Sequence, residues 1–243
     1  NSCGLSTVEG LAQATGLKYL DLQNNTLNRL DHLIGMQQLQ ELNLQHNAVT
    51  LLNAIGELSA LEKLDLSYNS VPSLAPLSGC TKLTWLDADH NSLYGLEGVD
   101  ALTGLQYLSV SHNDLTSIEL LTNSTELVEL NISNNTIINV DKLKDLVKLE
   151  VFNFSYNQIE YLPRWAEGNA LRIVDGSHNL LKSIDPMIEM KNLTYVYLDY
   201  NQISSLDPIA NCYNLVQVNA FGNNISDVSK LTAHNIIVHY DPT

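Results

Sequence analysis

Leu61-Glu-Lys-Leu64-Asp-Leu66-Ser-Tyr-Asn69-Ser-Val71-Pro-Ser-Leu74-Ala-Pro-Leu77 is one copy of a frame that runs through almost the whole chain. Counting from Leu61, leucines stand at positions one, four and six and an asparagine at nine. Three more apolar residues follow at three-residue steps. The asparagine recurs every 22 residues, at Asn25, Asn47, Asn69, Asn91, Asn113, Asn135, Asn157, Asn179, Asn201 and Asn223. No insertion or deletion interrupts the ten copies, so residues 17–231 read as a solenoid of stacked coils.

Each coil has two halves. In Leu64-Asp65-Leu66 the leucines point one way and the aspartate the other, the period of a strand with one buried face. In Val71, Leu74 and Leu77 the apolar period is three, which suits 3₁₀ or extended chain better than an α-helix. A single coil cannot bury its own apolar residues, but stacked coils bury each other's. The expected fold is therefore an α/β-type leucine-rich repeat solenoid. It is a curved right-handed stack, with a parallel β-sheet on the concave face and 3₁₀ or extended returns on the convex face. The asparagine side chain has donors and an acceptor together, so the ten form a structural ladder that bridges adjacent coils across the bend after each strand. Losing one rung leaves buried groups unpaired, at roughly 1–3 kcal/mol.

Around the array, residues 1–16 read as a partial N-terminal coil, with Leu5, Val8 and Leu11 at return positions. Cys3 takes the ladder place, 22 before Asn25. No polar cap precedes it, which implies a cap beyond the sequence or a packing partner over an otherwise open strand edge. The tail 232–243 reads as a closing strand that keeps the frame with Ile237 and Tyr240 and ends at Pro242. Within the array, Phe154 in coil seven faces Gly176 in coil eight, a pairing of a large ring with an absent side chain that keeps volume constant. Trp165 replaces the last return residue of coil seven, after Pro163.

The formal net charge is −15, from 12 Lys and Arg against 27 Asp and Glu. That excludes nucleic acid and anionic membrane surfaces as partners and favours a basic one. No apolar run reaches the length of a membrane span, so membrane insertion is not expected in this segment. The chain starts in mid-repeat and reads as a trimmed fragment, so the lack of a leader is uninformative. Cys80 and Cys212 share a frame position on coils too far apart for a disulfide, and all three cysteines are expected to be buried or half-buried free thiols.

Val71-Pro-Ser-Leu-Ala-Pro-Leu77, Ile203-Ser-Ser-Leu-Asp-Pro-Ile209 and Ile225-Ser-Asp-Val-Ser-Lys-Leu231 resemble the returns of the internalin class of bacterial surface repeats, which use 22-residue coils. Val8-Glu-Gly-Leu11 followed by Thr15-Gly-Leu17 is similar to the first coil of such arrays. The resemblance implies an extracellular or cell-surface bacterial protein that binds a protein ligand on its concave face. Two features of that class, a helical N-terminal cap and a C-terminal immunoglobulin-like domain, are absent from the sequence, so the resemblance does not extend to host-cell invasion. Intracellular phosphatase-regulatory repeats share the period but are richer in Lys and Glu. A cytoplasmic scaffold that grips an enzyme is the alternative, and a spacer without a ligand is a third reading. No cofactor is expected, and the chain reads as a monomer.

On the strand face away from the core, positions three, five and eight carry the candidate ligand-binding residues. Val151, Ile173 and Tyr195 are neighbours on adjacent strands, with Tyr197 beside them and Tyr156, His178 and Tyr200 flanking. Together they expose on the order of 500 Å² of apolar surface, more than a monomer usually leaves unused. A smaller group is Trp85, Tyr107, Tyr68, His90 and His112. Cross-strand pairs that merely stabilise the sheet are the bland explanation for both. His46, His90, His112 and His178 in one column suggest pH-sensitive binding. The Asp and Asn column at position five is commonplace in such repeats and carries no functional weight. Asp87, Asp89, His90 and His112 are a possible metal set, but parallel strands direct side chains in parallel, and zinc needs them to converge; no metal site is expected. Ser111, His112 and Asp114 form a triad in name only, with nothing to supply an oxyanion hole. No catalytic residue is expected, and the chain reads as a non-enzyme.

Overall fold

A computed structural model describes residues 3–241. The chain divides into two compact units, Asn1–Leu115 and Thr116–Thr243. In the first, strands β1 (Tyr19–Asp21), β2 (Glu41–Asn43), β3 (Lys63–Asp65), β4 (Trp85–Asp87) and β5 (Tyr107–Ser109) pair in parallel in chain order. The register sets core leucine against core leucine, Leu20↔Leu42, Leu42↔Leu64, Leu64↔Leu86 and Leu86↔Leu108. Period two then sends every position-four side chain to the same buried face.

The second unit repeats the plan. Its strands are β6 (Glu129–Asn131), β7 (Val151–Asn153), β8 (Ile173–Asp175), β9 (Tyr195–Tyr197), β10 (Gln217–Ala220) and β11 (Ile237–Tyr240), again parallel and in chain order. Apart from the β7–β8 connection and the last coil, the returns between strands carry 3₁₀ turns, as the three-residue period requires. They include Ile55–Glu57, Ala75–Gly79 and Val99–Ala101 in the first unit and Asp141–Asp145 and Asp185–Glu189 in the second. Pro76, Pro186 and Pro208 sit in the first turn of such helices, where a missing N–H costs nothing. The fold is a leucine-rich repeat solenoid.

Packing follows the frame. Leu61, Leu64, Leu66, Val71, Leu74 and Leu77 are all fully buried, and their counterparts in other coils are buried too, except Leu17 and Leu20 of the first coil, which are half-buried. Gly176 is matched to its neighbour: a methyl group there would overlap the Phe154 ring. Between β7 and β8 no 3₁₀ turn forms. Instead Trp165 is buried against Phe152, ring centroids 6.4 Å apart, and its indole N–H meets no partner.

Three expectations fail. First, the tail is out of frame. Val218 pairs with Val238, not with Tyr240, and Ile237 is half exposed. The last return is a short helix, α1 (Ser229–Thr232), closed by Asn235 at φ 59° and by the Ile236 N–H donating to the Leu231 carbonyl at 3.2 Å. This left-handed closure makes the coil two residues shorter than the others. The expected stop at Pro242 lies outside the described residues. Second, Cys3 is exposed. Cys80 and Cys212 are buried, and burial raises each thiol to about 11. Their Sγ atoms lie 3.2 Å from the carbonyls of Ile55 and Met190 in the preceding coils. Third, position eight is not on the strands, which end at position five, or at six in β10; it belongs to the turn that follows.

Candidate functional site

The turn after each strand sets up everything on the open face. Asn69 shows its logic. Its amide Nδ2 donates to the Leu44 carbonyl of the previous coil at 2.9 Å and to Leu66 and Ser67 of its own, while Oδ1 accepts the Val49 N–H at 2.9 Å. Asn47, Asn91, Asn113, Asn157, Asn179, Asn201 and Asn223 repeat the bond to the previous coil with distances of 2.9–3.0 Å. Asn25 accepts from the Cys3 and Leu5 N–H groups, and Asn135 donates to Ile132 and Ser133. The carboxylate or amide at position five closes the other side of the turn: Asp65 accepts the Ser67 N–H at 2.9 Å, and Asp87 accepts that of Asp89 at 3.0 Å. The Asp and Asn column set aside above thus has a turn-closing role.

This turn forces position eight into the left-handed region. His46, Tyr68, His90 and His112 have φ between 50° and 55°, and Tyr156, His178 and Tyr200 have φ 54°. For residues with a Cβ that conformation costs about 1–2 kcal/mol. Two interactions offset it. The N–H groups of His46, Tyr68, His90, Tyr156, His178 and Tyr200 bond across to the next coil, Tyr68 to the Asp89 carbonyl at 2.9 Å, and the rings stack. In the first unit the stack runs His46–Tyr68–His90–His112, with centroids 4.0–4.2 Å apart. In the second it runs Tyr156–His178–Tyr200 at 4.1 and 4.5 Å, and Tyr200 ends against Gly222.

On the strands of the first unit, Trp85 and Tyr107 stack at 4.7 Å and 7°. Lys63 of β3 reaches over the same indole, Nζ 4.5 Å from its centroid, a cation on the negative face of an aromatic ring. Sequence reasoning missed Lys63; its cross-strand place opposite Trp85 was the available signal. A cavity of about 360 Å³ opens over β1 to β4, between Tyr19 and Trp85. In the second unit Val151, Ile173 and Tyr195 fall in register on β7, β8 and β9, with Asn153, Asp175 and Tyr197 beside them. Val151, Ile173, Tyr195 and Tyr197 are half-buried, while Tyr156 and Tyr200 are 51% and 58% exposed. Phe221, also missed, is exposed and stacks on His239; it stands at position seven, a column mostly serine in this unit.

The electrostatics centre on the carboxylates beside the stacks. Burial pushes Asp87 up to about 7, helped by the charges of Asp89 and Asp65 and opposed by the Asp89 N–H. Burial also raises Asp199, whose Oδ1 accepts the Phe221 N–H at 2.8 Å. His90 is lowered, first by burial and then by His112. Asp89 is engaged by the Ser109 hydroxyl and the Ser111 N–H, both at 2.6 Å. Ser111 is buried whereas His112 and Asp114 are exposed, so the three do not share a surface. Among the described residues no group of three His, Cys, Asp or Glu is placed to hold a metal ion, and no helix is long and apolar enough to cross a membrane.

Leucine-rich repeat family models match residues 8–49 and 191–233. No curated protein matches the chain significantly. Among solved structures, an internalin from Listeria monocytogenes is similar over 98% of this chain and 71% of its own, with 23% identity and a TM-score of 0.92. A leucine-rich repeat protein of Leptospira interrogans is similar over 95% of this chain and 62% of its own, with 23% identity and a TM-score of 0.86. A plant peptide hormone receptor is similar over 96% of this chain and 41% of its own, with 26% identity and a TM-score of 0.80. The unbroken 22-residue frame, the proline-bearing 3₁₀ returns and these matches show a leucine-rich repeat chain whose fold is similar to that of a bacterial internalin.

Proposed function

We propose that the chain is a protein-binding module of a bacterial cell-surface or secreted protein, and that it holds its ligand on the open face of the strands. The observation that carries this reading is the registered row Val151, Ile173 and Tyr195 on β7 to β9, flanked by Tyr197 and the stack Tyr156–His178–Tyr200. Rigid tyrosines around an aliphatic centre are what protein interfaces use as anchors. The short strands and tight turns hold the row in place, so little ordering entropy is lost on binding. The plant receptor similar in fold was solved in complex with RGF2, and repeat proteins of this architecture generally bind through the extended sheet surface.

The test compares capture from host-cell surface extract by the wild-type chain and by Ile173→Ala/Tyr195→Ala/Tyr197→Ala, with folding checked by circular dichroism. A partner retained by the wild type and lost by the folded variant supports the reading. A partner retained equally by both moves the site off this row, and a chain that captures nothing favours a spacer.

A further inference from the structure

We propose that the cleft on the strand face of the first unit seats a cationic side chain, arginine or lysine, from a basic segment of a protein partner. The cleft lies over β1 to β4, walled by Tyr19 and Trp85, with Asp21, Glu41 and Asp65 lining it against a single base, Lys63. No ion pair within 4.0 Å joins Lys63 to any of the three carboxylates. Its ammonium lies instead on the indole of Trp85. The chain itself thus places a cation on that ring, and the carboxylates beside it meet no cation, Asp21 and Asp65 accepting only neutral hydrogen bonds from Gln23 and Ser67. Tyr19 at the other wall is 63% exposed, with its ring free to cover a second cation.

Size and charge narrow the occupant. About 360 Å³ is at the small end of ligand sites, enough for one long side chain and too little for a folded element. The rest of the segment would therefore lie along the strand face. The net charge of −15 repels nucleic acid and anionic lipid and attracts a basic chain. A planar guanidinium suits the site best, since it stacks on an aromatic face and is more weakly hydrated than an ammonium. Lys63 competes for the same ring, so the cleft carries its own inhibitor.

The inference rests on the protein-binding reading for the nature of the ligand, but its test reads the cleft directly. A capped Ser-Arg-Gly-Arg-Ser peptide is titrated into the isotope-labelled chain, alongside the same peptide with glutamine in place of arginine. The Trp85 indole N–H resonance is followed, with that of buried Trp165 as internal control. The expected result is a saturable shift at Trp85 alone, only with the arginine peptide and weaker in high salt. Glu41→Gln/Asp65→Asn should weaken binding by about fivefold or more, whereas Lys63→Ala should tighten it about threefold. Asp114→Asn/Glu167→Gln, which removes the same charge elsewhere, should change it by less than about twofold. Equal shifts with both peptides, no shift at Trp85, or equal weakening by the two double variants would overturn the proposal. Any of those results leaves the row on β7 to β9 standing if its triple variant still loses its partner.

Discussion

At the scale of single residues, the structure is held by groups whose replacements have calculable consequences. Asn157 donates to Ile132, Phe154 and Ser155 and accepts from Ile137. Asn157→Ala orphans those buried groups and should cost roughly 1–3 kcal/mol in urea unfolding. Gly176→Ala pushes a methyl into the Phe154 ring and should cost about 1–3 kcal/mol, with partial rescue by Phe154→Leu. Asp87 gives a pH signature. Its folded value, about 7, lies above the ordinary 3.8, so the native state holds a proton that the unfolded chain has released. Stability from this group is therefore greatest below pH ~4 and falls as pH rises to about 7. Asp87→Asn, which keeps an acceptor for the Asp89 N–H, should remove that slope and stabilise the chain at pH 8 by on the order of 1 kcal/mol, allowing for the group's partial exposure. Thermal melts across pH check it.

Turns and strands are the next scale, and here legibility divides sharply. The apolar steps of three announced the 3₁₀ returns, because only a three-residue helix keeps Val71, Leu74 and Leu77 on one side. The Phe154 and Gly176 pairing was equally readable, because volume complementarity is written in residue size. The left-handed turn at position eight was not. Tyrosine does not favour that region, so nothing in Tyr68 alone reports it; Asn24, Asn134, Gly222 and the histidines of the same column do favour it, and the hydrogen bonds of neighbouring coils impose it on the tyrosines as well. The shortened last coil escaped for a similar reason: Asn235 marks the closure but lies outside the repeating frame. These turns make a prediction of their own. Tyr68→Gly loses the stack on His46 and His90 but relieves the strained φ, whereas Tyr68→Ala loses the stack and keeps the strain. The alanine variant should be less stable by about 1 kcal/mol, measured by chemical denaturation.

For the whole molecule, a constant core and a variable face separate what sequence decides from what it leaves open. Buried positions are dictated by stacking, so the fold follows from the 22-residue period almost residue by residue. Outward position three is free of that demand, whereas five and eight also serve the turn, and none of the three has a ligand's name written in it. On the proposed reading the composition narrows its class: a strongly acidic chain with an aromatic strand face suits a protein with basic character. The most direct test of that face as the ligand-binding surface is site-specific photo-crosslinking, with a benzophenone side chain placed at Ile173 on β8 or, in a separate protein, at Ile188 in the 3₁₀ return. Both side chains reach solvent without being deeply buried. A partner protein cross-linked from position 173 and not from position 188 is the predicted result; cross-linking from 188 alone would contradict it.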